Sequence, residues 1–216
     1  MNWNKIDHHL SFISKNNYLR SVLKILFALC LYALPALPVA AEVYQFDKVH
    51  TQILFFVDHF GFSKSQGEFL EFEGQFSFDK NNFEKSEVRI TIDAESIDMD
   101  DDKWNRKMMG KKYFNTALHP TIEFKSTRIE RVDESNARVH GNLTLLGTAR
   151  PITLEMRFNK AGLNIATGKK TAGFSGHASL HRSDYGMSTF LKYIGDEVEI
   201  RLEVEAAVEP FRKNDS

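Results

Sequence analysis

From Ile53 almost to the C-terminus, apolar residues recur at every second position with polar or charged residues between them. A period of two places one side-chain set on one face of an extended strand, and no helix can reproduce it. Ile53, Phe55, Val57 and His59 share a face, as do Phe72, Gly74, Phe76 and Phe78, and then Val88, Ile90 and Ile92. The pattern resumes with Ile122, Phe124 and Ser126, with Val139, Gly141, Leu143 and Leu145, and with Ile152, Leu154, Met156 and Phe158. It closes with Phe174, Gly176, Ala178 and Leu180, and with Val198, Ile200, Leu202, Val204 and Ala206. Turn-forming stretches separate the runs at Asp79 to Asn82, Asp133 to Asn136 and Lys160 to Gly162, short enough to make neighbours antiparallel. Helical spacing occurs only from Asp101 to Phe114, where Trp104 and Met108 share a face and acidic residues precede the first turn. The expectation is an all-β fold: a closed, antiparallel barrel of about eight strands with a short helical insertion as plug or lid. Closure removes the exposed edges that such strands would otherwise present. A β-sandwich is the second choice.

The first 41 residues belong to a different pattern. Lys15, Arg20 and Lys24 precede an apolar run from Ile25 to Leu37, and Val39, Ala40 and Ala41 supply small residues for cleavage. This is the layout of a secretory signal peptide, which places the mature start at Glu42 and the protein in the periplasm. The rival reading is an uncleaved anchor, because Val22 to Ala41 approaches spanning length; Pro35 and Pro38 argue against it. Cys30, the sole cysteine, falls within the leader, so residues 42–216 would rely on packing in a single domain without a disulfide. Without the leader the chain carries 24 basic and 28 acidic residues, a net charge of −4. Such a surface has no general attraction for phosphate backbones or anionic headgroups, which argues against nucleic-acid binding.

Several positions on the apolar faces are small, namely Gly74, Ser126, Gly141, Gly176 and Ala178, and they alternate with phenylalanine, of which the chain has 18. Small inward residues are expected to leave space, and an eight-stranded barrel is at the size that either fills or holds one ligand. An aromatic, uncharged lining suits a hydrocarbon chain, which gains about 0.8 kcal/mol for each CH₂ buried. The pattern is equally compatible with a densely filled core.

Asp47, His50, Thr51, Phe55 and His59 resemble the opening D-x-x-H-[ST]-x-x-x-F-x-x-x-H of the YceI family. Gly67 to Asp79 is similar to its G-x-F-x-x-F-x-G-x-F-x-F-D stretch, and Phe114 with His119, Pro120, Thr121, Ile122, Phe124 and Ser126 to its P-x-I-x-F-x-S segment. Gly141 to Pro151 resembles G-x-L-T-x-x-G-x-[TK]-x-P, Arg182 to Gly186 resembles R-[ST]-D-[FY]-G, and Ile194 to Val198 extends the likeness to the last strand. The resemblance implies a lipocalin-like barrel with an internal channel, binding of polyisoprenoids or related long-chain amphiphiles, and no established enzymatic activity. One departure is the helix: Trp104-Asn105-Arg106-Lys107-Met108-Met109 stands where many members carry R-D-x-H-L.

Other chemistries fit poorly. Gly173-Phe174-Ser175-Gly176-His177 misplaces the second glycine of a nucleophile elbow. A calcium loop starting at Asp98 would need glycine at Lys103 and glutamate at Met109, so the acidic run is read as helix-terminal charge. His119, His140, His177 and His181 lack zinc spacing. The reading is therefore a carrier, not an enzyme, with no cofactor or metal. Its ligand-binding residues are Phe55, His59, Phe72, Phe76, Phe78, Ile90, Trp104, Met108, Phe124, Leu143, Leu154, Phe174 and Arg182. The Trp104 helix would close one end, and His59 or Arg182 would orient the head, although Arg182 with Asp184 also fits a structural corner. The partner is an isoprenoid or other long-chain lipid; a second copy in a homodimer and a membrane met transiently for lipid exchange are also compatible. The competing readings are an enzyme acting on an amphiphile, with His59 or Asp184 as acid or base, and a filled barrel serving as an interaction module.

Overall fold

The computed structural model describes residues 42–78 and 82–208; the leader and most of the Asp79 to Asn82 turn lie outside them. The strands are β1 (Glu42–Phe46), β2 (Gln52–His59), β3 (Ser63–Phe69), β4 (Phe72–Phe78), β5 (Glu87–Asp93) and β6 (Ile97–Asp98). Helix α1 (Asp102–Met109) precedes β7 (Thr121–Arg131), β8 (Asn136–Leu145), β9 (Thr148–Leu163), β10 (Lys170–His181) and β11 (Ile194–Val208).

Every pairing is antiparallel, and β11 closes the sheet by pairing β2 along most of its length and β1 at its end. β1 and β2 form one bent stave, as do β3 with β4 and β5 with β6, so the molecule is a closed eight-stranded meander barrel. The expected fold class is the observed one.

Each bend has its own hydrogen bonds, as buried or half-buried backbone requires. Between β1 and β2 the Asp47 carboxylate accepts the Val49 and His50 N–H groups at 2.9 and 3.2 Å. Thr51 Oγ1 donates to the Glu205 carbonyl at 2.9 Å and accepts the Glu205 N–H at 3.2 Å, so a side chain carries on the interrupted ladder. Between β5 and β6 a 3-10 turn at Ala94–Ser96 is capped by Asp93, which accepts from Glu95 N–H at 2.9 Å.

The two staves with least apolar alternation escape the period-two reading. β1 begins at the expected mature start, and the polar Asp47 to His50 bend hides its continuity with β2. β3 reads S-K-S-Q-G-E-F, whose inward side includes Ser65, Gly67 and Phe69. Lys160 to Gly162 are not a turn. They belong to β9, Ala161 pairs with the fully buried Ala172 across the ladder, and the reversal comes after Asn164, whose side chain accepts from Ala166 N–H at 2.9 Å. Leu146 and Gly147 make the tight β8–β9 reversal, both at positive φ (51° and 71°), as a two-residue hairpin requires.

Helix α1 is shorter than the spacing suggested, ending at Gly110. Asp101 caps it by accepting from Trp104 N–H at 2.9 Å. Asp98 accepts from Asn105 Nδ2 at 2.9 Å and Asn105 Oδ1 accepts the Met99 N–H at 2.7 Å, which ties the helix to β6. The acidic run thus has a capping and anchoring role, as expected. Among the described residues no helix is long and apolar enough to cross a membrane.

Candidate functional site

The inward faces of the staves enclose a cavity of about 270 Å³ that runs from the helix end of the barrel towards the β4–β5 end. Its wall is almost wholly hydrocarbon. Phe55, Phe76, Phe78, Ile90, Met108, Phe124, Leu143, Leu154, Phe174 and Arg182 all lie on it.

The three remaining candidates lie elsewhere. Phe72 is buried behind the wall, edge-on to Phe46 with ring centroids 6.2 Å apart. His59 sits at the end of β2 with its ring against Phe60, 4.7 Å between centroids, off the cavity surface. Trp104 is on the exposed side of α1, 42% exposed, with the Lys107 ammonium 4.1 Å from its ring centroid. The helix reaches the cavity through Met108 instead, and the closing aromatic at this end is Phe114. Phe114 packs on Phe55 and Phe69 at 6.2 and 5.5 Å.

The opposite end is walled by a second aromatic group. Phe78 meets Phe158, Phe174 and Phe83 at 5.4, 5.2 and 5.5 Å, and Phe76 stacks on Tyr44 at 5.3 Å. Tyr44 is the most buried large side chain. Phe46, Phe69, Phe83, Phe114 and Met187 also line the cavity. Phe114 stood inside a family motif, and Phe46 in alternation with Tyr44, but neither was read as lining.

The inward glycines do not make the space. A Cβ at Gly67 would overlap the Phe55 ring, at Gly141 the Phe124 ring, and at Gly176 the Met156 thioether. Each glycine is the socket for a large side chain of a neighbouring strand, a device that keeps the wall smooth. Ser126 is taken up by the sheet, its Oγ accepting the Val88 N–H at 2.9 Å beside a bulge in β7.

Among the described residues, Arg182 is the single charged one on the wall; it sits in a 3-10 turn at Arg182–Tyr185 and is buried. Nε donates to the Gly195 carbonyl at 2.7 Å, Nη1 to Met187 and Thr189 at 2.8 and 2.9 Å, and Nη2 to Ile194 at 3.0 Å. Burial lowers its pKa, while Asp196 pulls the other way. Asp196 is itself occupied, accepting from Ser183 N–H and Oγ at 2.9 and 2.7 Å. The cation therefore ties a loop across the barrel end, the corner role weighed for it. Asp184 is not part of that network; its carbonyl accepts from Arg150 Nε at 3.3 Å.

Among the described residues, the polar members of the cavity wall are Thr51, Ser77, Ser86, Tyr113, Ser135 and Arg182, with no histidine or carboxylate beside them on it. Among the described residues, one group of metal-ligating types converges, Asp47, His50 and Glu205. It lies at the β1–β2 bend, where His50 Nδ1 and Asp47 Oδ2 are 3.0 Å apart and brace the turn. The site has the dimensions and lining to enclose an apolar chain.

The chain matches the YceI-like domain over residues 44–206. A UPF0312 protein of Pseudomonas paraeruginosa is 34% identical over 167 residues, which span 76% of this chain and 86% of the relative. Among solved structures, BcnA of Burkholderia cenocepacia superposes with a TM-score of 0.68 at 24% identity, covering 74% of this chain and 98% of BcnA. A polyisoprenoid binding domain from Saccharophagus degradans superposes with a TM-score of 0.60 at 14% identity, covering 78% and 99%. At these identities the structural likenesses concern the fold.

Proposed function

The chain belongs to the YceI-like domain family, and from that premise we propose that it is an exported, periplasmic carrier whose barrel holds the tail of an isoprenoid or similar long-chain amphiphile. The observation that carries this reading is the continuous hydrocarbon wall around about 270 Å³ of unfilled interior. At about 24 cal/mol for each Å³ of cavity, leaving that space empty costs on the order of 6 kcal/mol, comparable to a whole domain's net stability. Water is no remedy, because an apolar cavity offers it no hydrogen bonds. A chain of CH₂ and CH groups is the occupant that removes the cost, each buried CH₂ gaining about 0.8 kcal/mol. The likeness to the Saccharophagus degradans polyisoprenoid binding domain supports the same ligand class.

The mechanism is sequestration without chemistry. Met108, Tyr113 and Phe114 form the wall at the helix end and Phe83 and Phe158 the wall at the other, so the tail lies along the barrel axis. Arg182, held by four carbonyls, fixes the loop bordering the helix end, and its positive charge there favours an anionic or strongly polar head. No cofactor or metal has a part in this reading.

The test is mass spectrometry of an organic extract of the gently purified protein. A stoichiometric isoprenoid or acyl species, recovered chemically unchanged after incubation, is the expected result. An extract without lipid from a folded, monodisperse sample overturns the reading in favour of a barrel that only docks a partner. Conversion of the lipid during incubation would make the protein an enzyme.

A further inference from the structure

At the helix end of the barrel the surface reverses the rule followed elsewhere. The β2–β3 turn presents Phe60 and Phe62, the latter 90% exposed, and the loop leading into β11 presents Phe190 and Tyr193, each about half exposed. The two loops are joined. Phe60 N–H donates to the Tyr193 carbonyl at 2.9 Å, and the two rings stack at 5.6 Å. Phe60 and Phe190 both occupy the left-handed region, φ 58°. That conformation suits glycine or asparagine and is unfavourable for an aromatic residue; the Phe60 ring rests on Tyr193 and His59 but stays half exposed, as does Phe190.

Beside these tips lie lysines. Thr189 Oγ1 donates to the Lys112 carbonyl at 3.0 Å, which brings the segment after α1 against the same loop. Lys111, Lys112 and Lys192 are exposed, and among the described residues none has a carboxylate within ion-pair distance. Exposed aromatic side chains on two joined loops, beside lysines that have no carboxylate partner, of which Lys192 lies 5.7 Å from the Tyr193 ring centroid, match the interfacial layer of a bilayer, which takes up projecting rings without a shaped pocket and attracts cations through anionic headgroups. A protein partner would instead be met by a continuous, complementary patch. The net negative charge of the chain does not oppose this, because the lysines act locally, within a Debye length of the surface.

We propose that this rim docks the protein on an anionic phospholipid bilayer. The proposal rests on the carrier reading, since a carrier must meet the membrane that holds its cargo. The cavity wall lies directly behind the rim, where Ile194 follows Tyr193 and Tyr113 follows Lys112. Docking would thus set the helix end of the barrel, the end Phe114 closes, against the source of lipid.

The experiment is hydrogen exchange on the full chain with vesicles of phosphatidylcholine alone or with phosphatidylglycerol. Anionic vesicles are expected to slow the amides of residues 59–63 and 189–194 by at least about five-fold, while residues 164–169 at the opposite end are unaffected. The double variant Phe62→Ser/Phe190→Ser and the triple variant Lys111→Glu/Lys112→Glu/Lys192→Glu should each abolish that protection. All five side chains are exposed, so the barrel's melting midpoint should be unmoved. Unchanged rim exchange with anionic vesicles overturns the proposal, as does protection confined to residues 164–169. Protection that appears with rising protein concentration and no vesicles would assign the rim to a second copy of the chain. Lipid extracted from the same samples separates the two readings: cargo without docking leaves the carrier standing, and docking without cargo leaves only the rim.

Discussion

Phe55 and Gly67 are direct partners across the β2–β3 ladder, and the Phe55 ring fills the volume that a side chain at Gly67 would take. On the β7–β8 ladder the Phe124 ring fills the space over Gly141 diagonally, since Phe124 itself pairs with Leu143 and Gly141 with Ser126. Gly67→Ala and Gly141→Ala therefore overpack the wall, and each should lower stability by about 1–3 kcal/mol, seen as a fall of several degrees in the thermal midpoint. Gly162→Ala is the control, because nothing lies within 4 Å of a Cβ there. Pairing Gly141→Ala with Phe124→Leu should recover part of the loss; strict additivity would mean the ring and the glycine are not coupled.

Much of the barrel is legible as period-two alternation, because staves such as β8 and β10 bury one face and the chain must mark it. What escaped was encoded otherwise. In Ser63 to Phe69 the inward residues before Phe69, Ser65 and Gly67, are small or polar, and the Asp47 to Thr51 bend substitutes side-chain hydrogen bonds for a ladder, so neither carries a clear hydrophobic alternation. Most of the expected lining residues reach the cavity because inward direction follows from strand parity. Trp104 and His59 did not, because a helix face and a strand end take their direction from tertiary packing, to which periodicity is blind, and Phe72, although buried, packs edge-on to Phe46 behind the wall. The expected space at the glycines failed for a further reason: a missing side chain makes room only when no neighbour leans into it.

Arg182→Met should be costly even though it keeps an apolar stem. Four carbonyls, of Gly195, Met187, Thr189 and Ile194, lose their charged donor, and buried acceptors without partners cost about 1–3 kcal/mol apiece before relaxation. A loss of about 3–5 kcal/mol in denaturant unfolding is expected. Arg182→Lys should recover little, since one ammonium cannot span the fork. If Arg182 is only a corner, folded variant at low temperature retains wild-type lipid; a drop in retained lipid without unfolding assigns it to the head as well.

Phe76→Asp or Phe124→Asp places a charge on the cavity wall. Either should abolish lipid retention, because an ionised carboxylate in a hydrocarbon cavity admits water and forfeits the apolar contact. Leu118→Asp, at an exposed site off the wall, should leave retention intact. Circular dichroism confirms which variants fold, and lipid quantified in the extract reads the effect. Unchanged lipid in a folded Phe76→Asp variant would remove that face from the site.

Tyr44 ties the barrel's closure to pH. Its ring is 1% exposed and stacked on Phe76, its hydroxyl donates to Glu42 Oε2 at 3.0 Å, and burial, aided by Glu42, pushes its pKa up to about 12. In the unfolded chain a tyrosine titrates near pH 10. Below that pH both states keep the proton, and the contribution of Tyr44 to stability is fully present. Between about pH 10 and 12 only the unfolded chain releases it, so stability falls through this window, by about 2–3 kcal/mol from this group at roughly 1.4 kcal/mol per pH unit. Tyr44→Phe keeps the stacked ring and removes the titrating proton. Its unfolding free energy should lie within about 1 kcal/mol of wild type at neutral pH, the net worth of one hydrogen bond, and decline less steeply above pH 10. Denaturant melts at half-unit intervals from pH 8 to 12 decide it, because lysines and the other tyrosines contribute equally to both proteins. Parallel curves would mean that the Tyr44 hydroxyl ionises without opening the β1–β11 seam.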